Sequence, residues 1–178
     1  MTEGDSIRFN ALRNALYHTA RQRRLARLDR LFTFIVLILG TVAVATVLPE
    51  LGLNASLIGV AVAAVSAMQL VFAPGNTAAV HRTLQREYYQ ILAEIEETLE
   101  PSANDIARWR SRLSRISADE PPTFRGIDAR AYNDALDAME LSRDQRLVIP
   151  FKVRLLGAIL AFEGHQFRKQ IEVDPATN

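Results

Sequence analysis

Two long apolar segments dominate the pattern of hydrophobic and polar positions along the chain. Leu31–Leu48 contains three threonine hydroxyls and no charge, and Ala55–Ala73 is also uncharged. As helices, these segments would span roughly 27–28 Å, close to the ~30 Å hydrocarbon core of a bilayer. Because backbone amides in lipid must bond internally, the pattern predicts a transmembrane hairpin of two helices over residues 31–73, with a turn at Pro49–Asn54.

Helical periodicity continues on either side of these segments. In residues 1–30, apolar side chains recur at helical spacing among arginines, which predicts a basic amphipathic helix leading into the first span. They are Phe9, Leu12, Leu16, Thr19 and Ala20. Pro74 and Gly75 stop the second span, and Asn76 or Thr77 can cap the next helix.

That next helix begins a helical region predicted over residues 76–172. Its apolar positions form a two-heptad seam, which can pair with the amino-terminal helix of the same chain or with a neighbouring subunit. The seam consists of Leu84, Tyr88, Ile91, Ile95 and Thr98. A further helix is expected after Ser102, which can cap it, with Asp105 in the first turn. Pro121 and Pro122 prevent that helix from continuing.

The last part of this region predicts a short helix at Asp128–Met139 and a second apolar stretch at Leu147–Phe162. Lys152 and Arg154 interrupt the apolar stretch, and a charge at the centre of a span costs about 2.5–3.5 kcal/mol on insertion. We therefore expect it to pack in a cytoplasmic bundle or, as the less favoured alternative, to lie in the membrane interface. Residues 173–178 are predicted to be a disordered tail.

The distribution of charge gives the expected topology. The chain has 21 Lys and Arg against 20 Asp and Glu, but no Lys, Arg or His occurs from Leu31 to Val80. Basic flanks stay cytoplasmic, so both termini are expected inside the cell, at the inner membrane of a bacterium. The side chains expected to face lipid headgroups are Arg21, Arg23, Arg24, Arg27, Arg30 and Arg82. Headgroup attraction accounts for this cluster without a nucleic-acid partner.

The residues that usually carry catalysis are sparse. There is no Cys, no glycine-rich phosphate loop and no metalloprotease or nucleophile-elbow motif. His18, His81 and His165 fall on separate segments, so we expect no catalytic site, metal site or cofactor, and no enzymatic activity. His81, next to the membrane, is positioned to respond to pH, although a lone interfacial histidine is more often a polar flank.

Small and polar residues form a stripe along the two predicted spans. Such residues allow close helix packing and hydrogen bonds between helices. We favour this packing role; the alternative is a lining for an aqueous path, which would require several hairpins to assemble. The stripe consists of Thr33, Thr41, Ser56, Gly59, Ala63, Ser66 and Gln69.

The layout of the chain resembles the SLATT domain family over about residues 8–165. The resemblance rests on the basic lead-in Tyr17–Arg23, the two spans, Glu87-Tyr88-Tyr89, a Trp-Arg-Ser-Arg-Leu segment, Pro-Pro-Thr-Phe-Arg-Gly and Ala131-Tyr132-Asn133. This family comprises two-helix membrane modules of bacterial conflict systems, often encoded beside nucleotide second-messenger synthases or sensors. The resemblance implies a pore-forming effector, with no fused sensor in this chain and no functional residue carried over.

The sequence therefore predicts an all-α protein, a two-helix transmembrane hairpin with a cytoplasmic helical bundle. Its expected partners are the lipid bilayer and further copies of itself, with a sensor or nucleotide second-messenger system encoded nearby as a further candidate. The leading functional hypothesis is an oligomeric pore-forming effector in antiviral defence that permeabilises the inner membrane on a cytoplasmic signal. The alternatives are a non-conducting membrane adaptor that recruits a soluble partner and, less favoured, a holin-like lysis protein.

Overall fold

The computed structural model describes residues 2–41, 55–157 and 159–173, and this part of the chain is all-helical, without a strand. The predicted turn at Pro49–Asn54, residues 42–48 of the first apolar segment and most of the predicted tail lie outside the described residues. The helices are α1 (Glu3–Leu39), α2 (Ala55–Phe72), α3 (Pro74–Glu97), α4 (Ala103–Ala118), α5 (Arg125–Ala138) and α6 (Phe151–Leu156). Short 3₁₀ helices occur at Arg143–Gln145 and Gln170–Glu172.

The chain divides into two compact units. We call the first the core unit; it contains the residues up to Arg21 and those from His81 onward. We call the second the apolar unit; it contains Gln22–Val80. The apolar unit contains the whole segment 31–73 predicted as a membrane hairpin, and the core unit contains most of the two flanking regions.

Within the core unit, α1 packs against α3 through small residues. Ala11 and Ala15 are fully buried, and they form one hydrophobic cluster with Leu84, Tyr88 and Ile91 of the heptad seam. Ile116 of α4 completes this cluster, and Ile95 packs on its edge. The short alanine side chains let the two helices approach closely, so the seam pairs with the amino-terminal helix of its own chain.

A second side of α1 packs against α5. Phe9 is buried with Ala135 and Leu136, and Leu12 and Leu16 border that cluster. About two turns further along α1 from Phe9, a separate cluster joins Tyr17, Ile127 and Ala131. The predicted stripe of Phe9, Leu12 and Leu16 therefore marks only one of the two faces that α1 buries.

Helix α4 begins as the sequence predicts. The Ser102 hydroxyl accepts a hydrogen bond from the Asp105 backbone N–H, and the Asp105 carboxylate accepts one from the Ser102 backbone N–H. This reciprocal capping box satisfies two backbone donors that a helix start would otherwise leave unpaired. The helix ends at Ala118, before the two prolines at positions 121 and 122.

The start of α3 differs from the prediction. Asn76 and Thr77, proposed as caps, lie inside the helix, which begins at Pro74. Proline suits the first helical position because its missing N–H would have no partner there and its φ is already helical. Ala73 alone separates α2 from α3, with a φ of 38°. The break between the two helices is thus one residue long.

One stretch of the described residues, Ser56–Glu97, is long and apolar enough to cross a membrane, by length and composition. Its apolar part is α2, which coincides with the second predicted span. The first predicted span is helical from Leu31 to Leu39, as the end of α1.

Among the described residues of the second apolar stretch, Leu147–Phe162, the α-helical ones are Phe151–Leu156. Leu147 instead forms an isolated antiparallel bridge with Lys169, and Asn133 clamps its backbone by donating to the Leu147 carbonyl and accepting from the Leu147 N–H. Pro150 lies immediately before the helix, where its missing N–H leaves no intrahelical hydrogen bond unmade. Val153 is the one buried side chain of α6 and packs against α5 at Gly126.

Replacing Gly126 with alanine is expected to destabilise this contact. A Cβ at Gly126 would lie 2.8 Å from Val153 Cγ1 and 3.1 Å from Gly157 Cα. Overpacking of this kind costs about 1–3 kcal/mol, which outweighs the roughly 0.5–1 kcal/mol that alanine gains in a helix. Urea unfolding in a mild detergent, followed by Trp109 fluorescence, measures the loss. Gly4→Ala is the control, because its nearest neighbour outside the adjacent backbone would lie at 3.6 Å; equal losses would contradict the prediction.

Candidate functional site

The core unit contains a buried pair of histidines. His18 of α1 and His81 of α3 are each 1% exposed, and their Nδ1 atoms lie 2.8 Å apart, at hydrogen-bond distance. Their rings are tilted by 36° with centroids 5.1 Å apart, and Tyr17 packs edge-on against both. Buried polar groups need hydrogen-bond partners, so this contact is the natural centre of a polar network.

The carboxylate of Glu120 anchors that network. Glu120 lies in the linker after α4, and its Oε1 atom is 3.2 Å from His18 Nε2. The Tyr88 hydroxyl donates a short hydrogen bond to the same oxygen and lies 3.1 Å from the Ser117 hydroxyl. The Tyr88 ring also stacks on His18, with centroids 5.5 Å apart. Side chains from α1, α3, α4 and the linker therefore meet in one buried polar cluster.

The hydrogen-bond pattern constrains the protons on the two rings. A carboxylate only accepts, so His18 Nε2 carries a proton toward Glu120. In a neutral His18 ring, Nδ1 then accepts from a protonated His81 Nδ1, and His81 Nε2 is left as a bare acceptor. His81 Nε2 has no hydrogen-bond partner in the described structure. A proton added there would be a buried donor without an acceptor.

Burial and hydrogen bonding within the cluster shift the pKa values of His81, Glu120 and Tyr88. Burial, reinforced by the neighbouring His18 and Arg21, lowers the pKa of His81 to about 4, while Glu120 opposes the shift. Burial opposes a lower pKa for Glu120, but hydrogen bonds from His18 and Tyr88 prevail and lower it. Burial and the bond to Glu120 raise the pKa of Tyr88 above its usual range. The cluster therefore favours a neutral His81 beside an ionised carboxylate.

This cluster has the composition of a proton-responsive link between helices. Across the described ranges, no group of three or more His, Cys, Asp or Glu residues is placed to hold a metal ion. The two histidines are inaccessible to a substrate, so the chemistry open to them is proton uptake and release. A second polar contact joins α1 to α5 nearby: Arg13 donates to both carboxylate oxygens of Asp128, at 2.9 and 2.6 Å.

The apolar unit contains a smaller polar group. Gln69 of α2 donates to the Thr33 hydroxyl of α1 at 3.1 Å, and Thr33 donates to the Asp29 carbonyl one turn earlier. Asp29, Ser66 and Gln69 border a cavity of about 380 Å³, together with Leu70, Ala73, Gly75 and Asn76. Three members of the predicted small-and-polar stripe are thereby brought to one region of the apolar unit.

The remaining stripe residues are not part of this group. Thr41 donates to the Ile38 carbonyl of its own helix. Ser56, Gly59 and Ala63 are exposed, and a Cβ at Gly59 would meet no atom within 4 Å. Within the described chain, these three small residues thus leave an open helix face.

The residues predicted to face headgroups differ in exposure. Arg23, Arg27, Arg30 and Arg82 are exposed, and Arg24 is half-buried. Arg21 departs from the prediction, because it is buried with its guanidinium 3.8 Å from the centre of the Phe124 ring. This cation–π contact and the buried position remove Arg21 from the exposed basic cluster.

The histidine pair was missed at the sequence level, although a signal for it exists. His18 follows Ala11 and Ala15 at helical spacing, and His81 precedes Leu84 and Tyr88 at the spacing of the heptad seam. Each histidine therefore extends a buried stripe by one position. Separation along the chain gave no reason to expect a contact between His18 and His81, but packing of α1 on α3 joins the two stripes.

Comparison with protein-family models, with curated proteins and with solved structures found no match.

Proposed function

We propose that this protein is a membrane-embedded pore-forming effector. Its two apolar segments form a transmembrane hairpin with both termini in the cytoplasm, and several copies assemble so that the hairpins together enclose a pore. The core unit acts as the cytoplasmic bundle that holds the assembly closed until a signal arrives. The activating signal shifts the population toward an arrangement in which the hairpins conduct.

The observation that carries this proposal is the exposure of α2, the apolar part of the Ser56–Glu97 stretch. Only 6% of its most apolar window is buried within the protein. A core helix of a soluble protein would be mostly covered by its own chain, and exposing this much apolar surface to water is unfavourable. A bilayer, or a bilayer together with neighbouring copies, supplies the missing apolar contact.

The polar group of the apolar unit supports the hairpin and the pore. The hydrogen bond between Gln69 and Thr33 joins the ends of the two apolar segments, as expected of polar residues between transmembrane helices. Asp29 and Ser66 border the same cavity. An aqueous path formed by several copies would find hydroxyl, amide and carboxylate groups here, and ionisable residues near a span commonly mark such paths.

The resemblance to the SLATT family supports a role in bacterial defence. The effector would depolarise the inner membrane in response to an infection sensor or nucleotide second messenger produced by a separate protein. An adaptor that recruits a soluble partner would need no conduction. Ion flux therefore separates the two hypotheses.

Ion flux is best measured both in cells and in liposomes. At the high copy number of induced expression or dense reconstitution, part of the population should adopt the conducting arrangement without the signal. Induced expression in bacteria should therefore abolish the membrane potential, reported by a potential-sensitive dye, and densely reconstituted protein should release a trapped small dye from liposomes. Gln69→Leu should lower the release rate severalfold, because it removes the amide from the proposed path and the hydrogen bond to Thr33. Met68→Leu, an apolar exchange at the neighbouring position, should leave the rate unchanged.

The outcomes discriminate clearly. If neither the cells nor the liposomes lose their gradients, the pore proposal is wrong and the adaptor hypothesis stands. If Gln69→Leu conducts like the parent, Gln69 does not line the path. Loss of conduction together with loss of the oligomer on chemical crosslinking would assign Gln69 to packing.

A further inference from the structure

We infer that α6 and the residues following it form a docking surface for an anionic lipid bilayer. This inference rests on the membrane location proposed above, and adds a second lipid contact to it, made by the core unit. The surface, which we call the α6 patch, consists of Phe151, Leu155 and Ile159 with Lys152 and Arg154 beside them.

The apolar side chains of the patch lie on the outer side of α6. Phe151 and Leu155 are one helical turn apart and are 76% and 65% exposed, whereas Val153, on the opposite side, is buried. The turn continues past the helix, with the Ile159 and Leu160 amides donating to the Leu156 carbonyl. Ile159 is again 76% exposed. The chain therefore presents three large apolar side chains that nothing in the described structure covers.

The backbone beneath the patch is fixed in place. Gly126 of α5 and Gly157 approach so closely that a Cβ on Gly157 would lie 3.2 Å from Gly126 Cα. The Arg130 guanidinium donates to the Arg154 carbonyl, and the Arg125 N–H donates to the Ala161 carbonyl at 3.0 Å. These contacts hold the inner side of the segment against α5. The outward apolar side chains are thus a fixed feature of the surface.

The basic residues beside the α6 patch indicate that its partner is an anionic bilayer. Lys152 and Arg154 are exposed on either side of the Phe151–Leu155 ridge, and no Asp or Glu occurs from Leu147 to Ala161. Arg154 also borders a cavity with Arg130 and Arg146, where Asp134 is the acidic lining residue. Apolar side chains flanked by basic ones are the pattern of interfacial binding: the former enter the acyl boundary and the latter meet anionic headgroups. The chain also contains a helix long and apolar enough to cross a membrane. A lipid bilayer next to that helix is therefore the apolar environment that we assign to the patch.

Site-specific fluorescence tests this inference on the full-length protein. The chain has no Cys, so a single introduced cysteine can be labelled with an environment-sensitive dye. The variants are Leu155→Cys in the patch, Leu70→Cys in α2 and Leu99→Cys, which is 93% exposed beside Glu97 and Glu100. Each is reconstituted in vesicles of phosphatidylcholine and phosphatidylglycerol, with and without brominated lipid as quencher.

We expect the dye at Leu155→Cys to show a blue-shifted and severalfold stronger emission in the vesicles. Brominated lipid should quench the dye strongly at Leu155→Cys and at Leu70→Cys, and should quench it little at Leu99→Cys. Quenching at position 70 but not at 155 overturns the α6 patch and leaves the membrane location intact. An absence of quenching at position 70 refutes the membrane location, and the inference falls with it. Energy transfer between labelled copies at position 155, without lipid quenching, assigns the patch to a second copy and also overturns the inference.

A charge reversal tests the headgroup component. Adding K152E and R154E to Leu155→Cys should reduce quenching by brominated lipid severalfold in the anionic vesicles. In vesicles of phosphatidylcholine alone, quenching should be weak both for Leu155→Cys and for the charge-reversed variant. Undiminished quenching of the reversed variant would contradict recognition of anionic lipid.

Discussion

Leu84→Ala should lower the free energy of unfolding of the core unit by about 2–5 kcal/mol, the usual cost of removing a buried leucine side chain. Leu84 is 4% exposed and contacts the cluster that joins α1, α3 and α4. Truncation leaves a cavity between helices that already approach closely through Ala11 and Ala15. Urea unfolding in detergent measures the effect, with the fully buried Trp109 of α4 as the fluorescent probe.

Leu99→Ala provides the matched control. Leu99→Ala removes the same side-chain atoms as Leu84→Ala, but Leu99 is 93% exposed and its truncation loses almost no packing. Its unfolding midpoint should match that of the parent within error. A comparable loss at both positions would mean that the seam of α3 is not the core of this unit.

Acid should destabilise the core unit through His81. In the unfolded chain, His81 titrates near 6.5, whereas burial and the neighbouring His18 and Arg21 lower its folded pKa to about 4. Between these values the unfolded state binds more protons, so unfolding becomes easier as pH falls. Full protonation would cost roughly 3 kcal/mol, from about 1.4 kcal/mol per pKa unit. Glu120 acts in the same direction, because its lowered pKa contributes stability that is lost in acid.

The slope of stability against pH is the readout of this prediction. Unfolding free energies of the parent, measured at several pH values from 7.5 down to 4.5, should fall most steeply below 6.5. His81→Gln removes the titrating ring and should flatten this slope, whatever its effect on stability at neutral pH. His165→Gln, at an exposed histidine of the same unit, should retain the slope. An equally steep slope in His81→Gln would show that another group responds to the acid.

Much of the local structure followed from sequence patterns because its causes are local. The capping box at Ser102 and Asp105 depends on residues three apart, and the prolines after α4 act on their immediate neighbours. The α3 start was misplaced for an equally local reason, since Pro74 takes the first helical position itself. Charge and hydropathy likewise marked α2 as a membrane candidate without reference to any contact.

The amino-acid sequence by itself determined that the chain is helical, where α4 starts and which stretch is apolar enough for lipid. Only the tertiary structure decided which face of α1 meets α3, that His18 and His81 share a hydrogen bond, and that Arg21 is buried on Phe124. The physical reason is the distance along the chain over which each interaction acts. Caps, helix breakers and apolar runs act over a few residues, whereas the histidine contact joins positions 63 residues apart and exists only after helix packing.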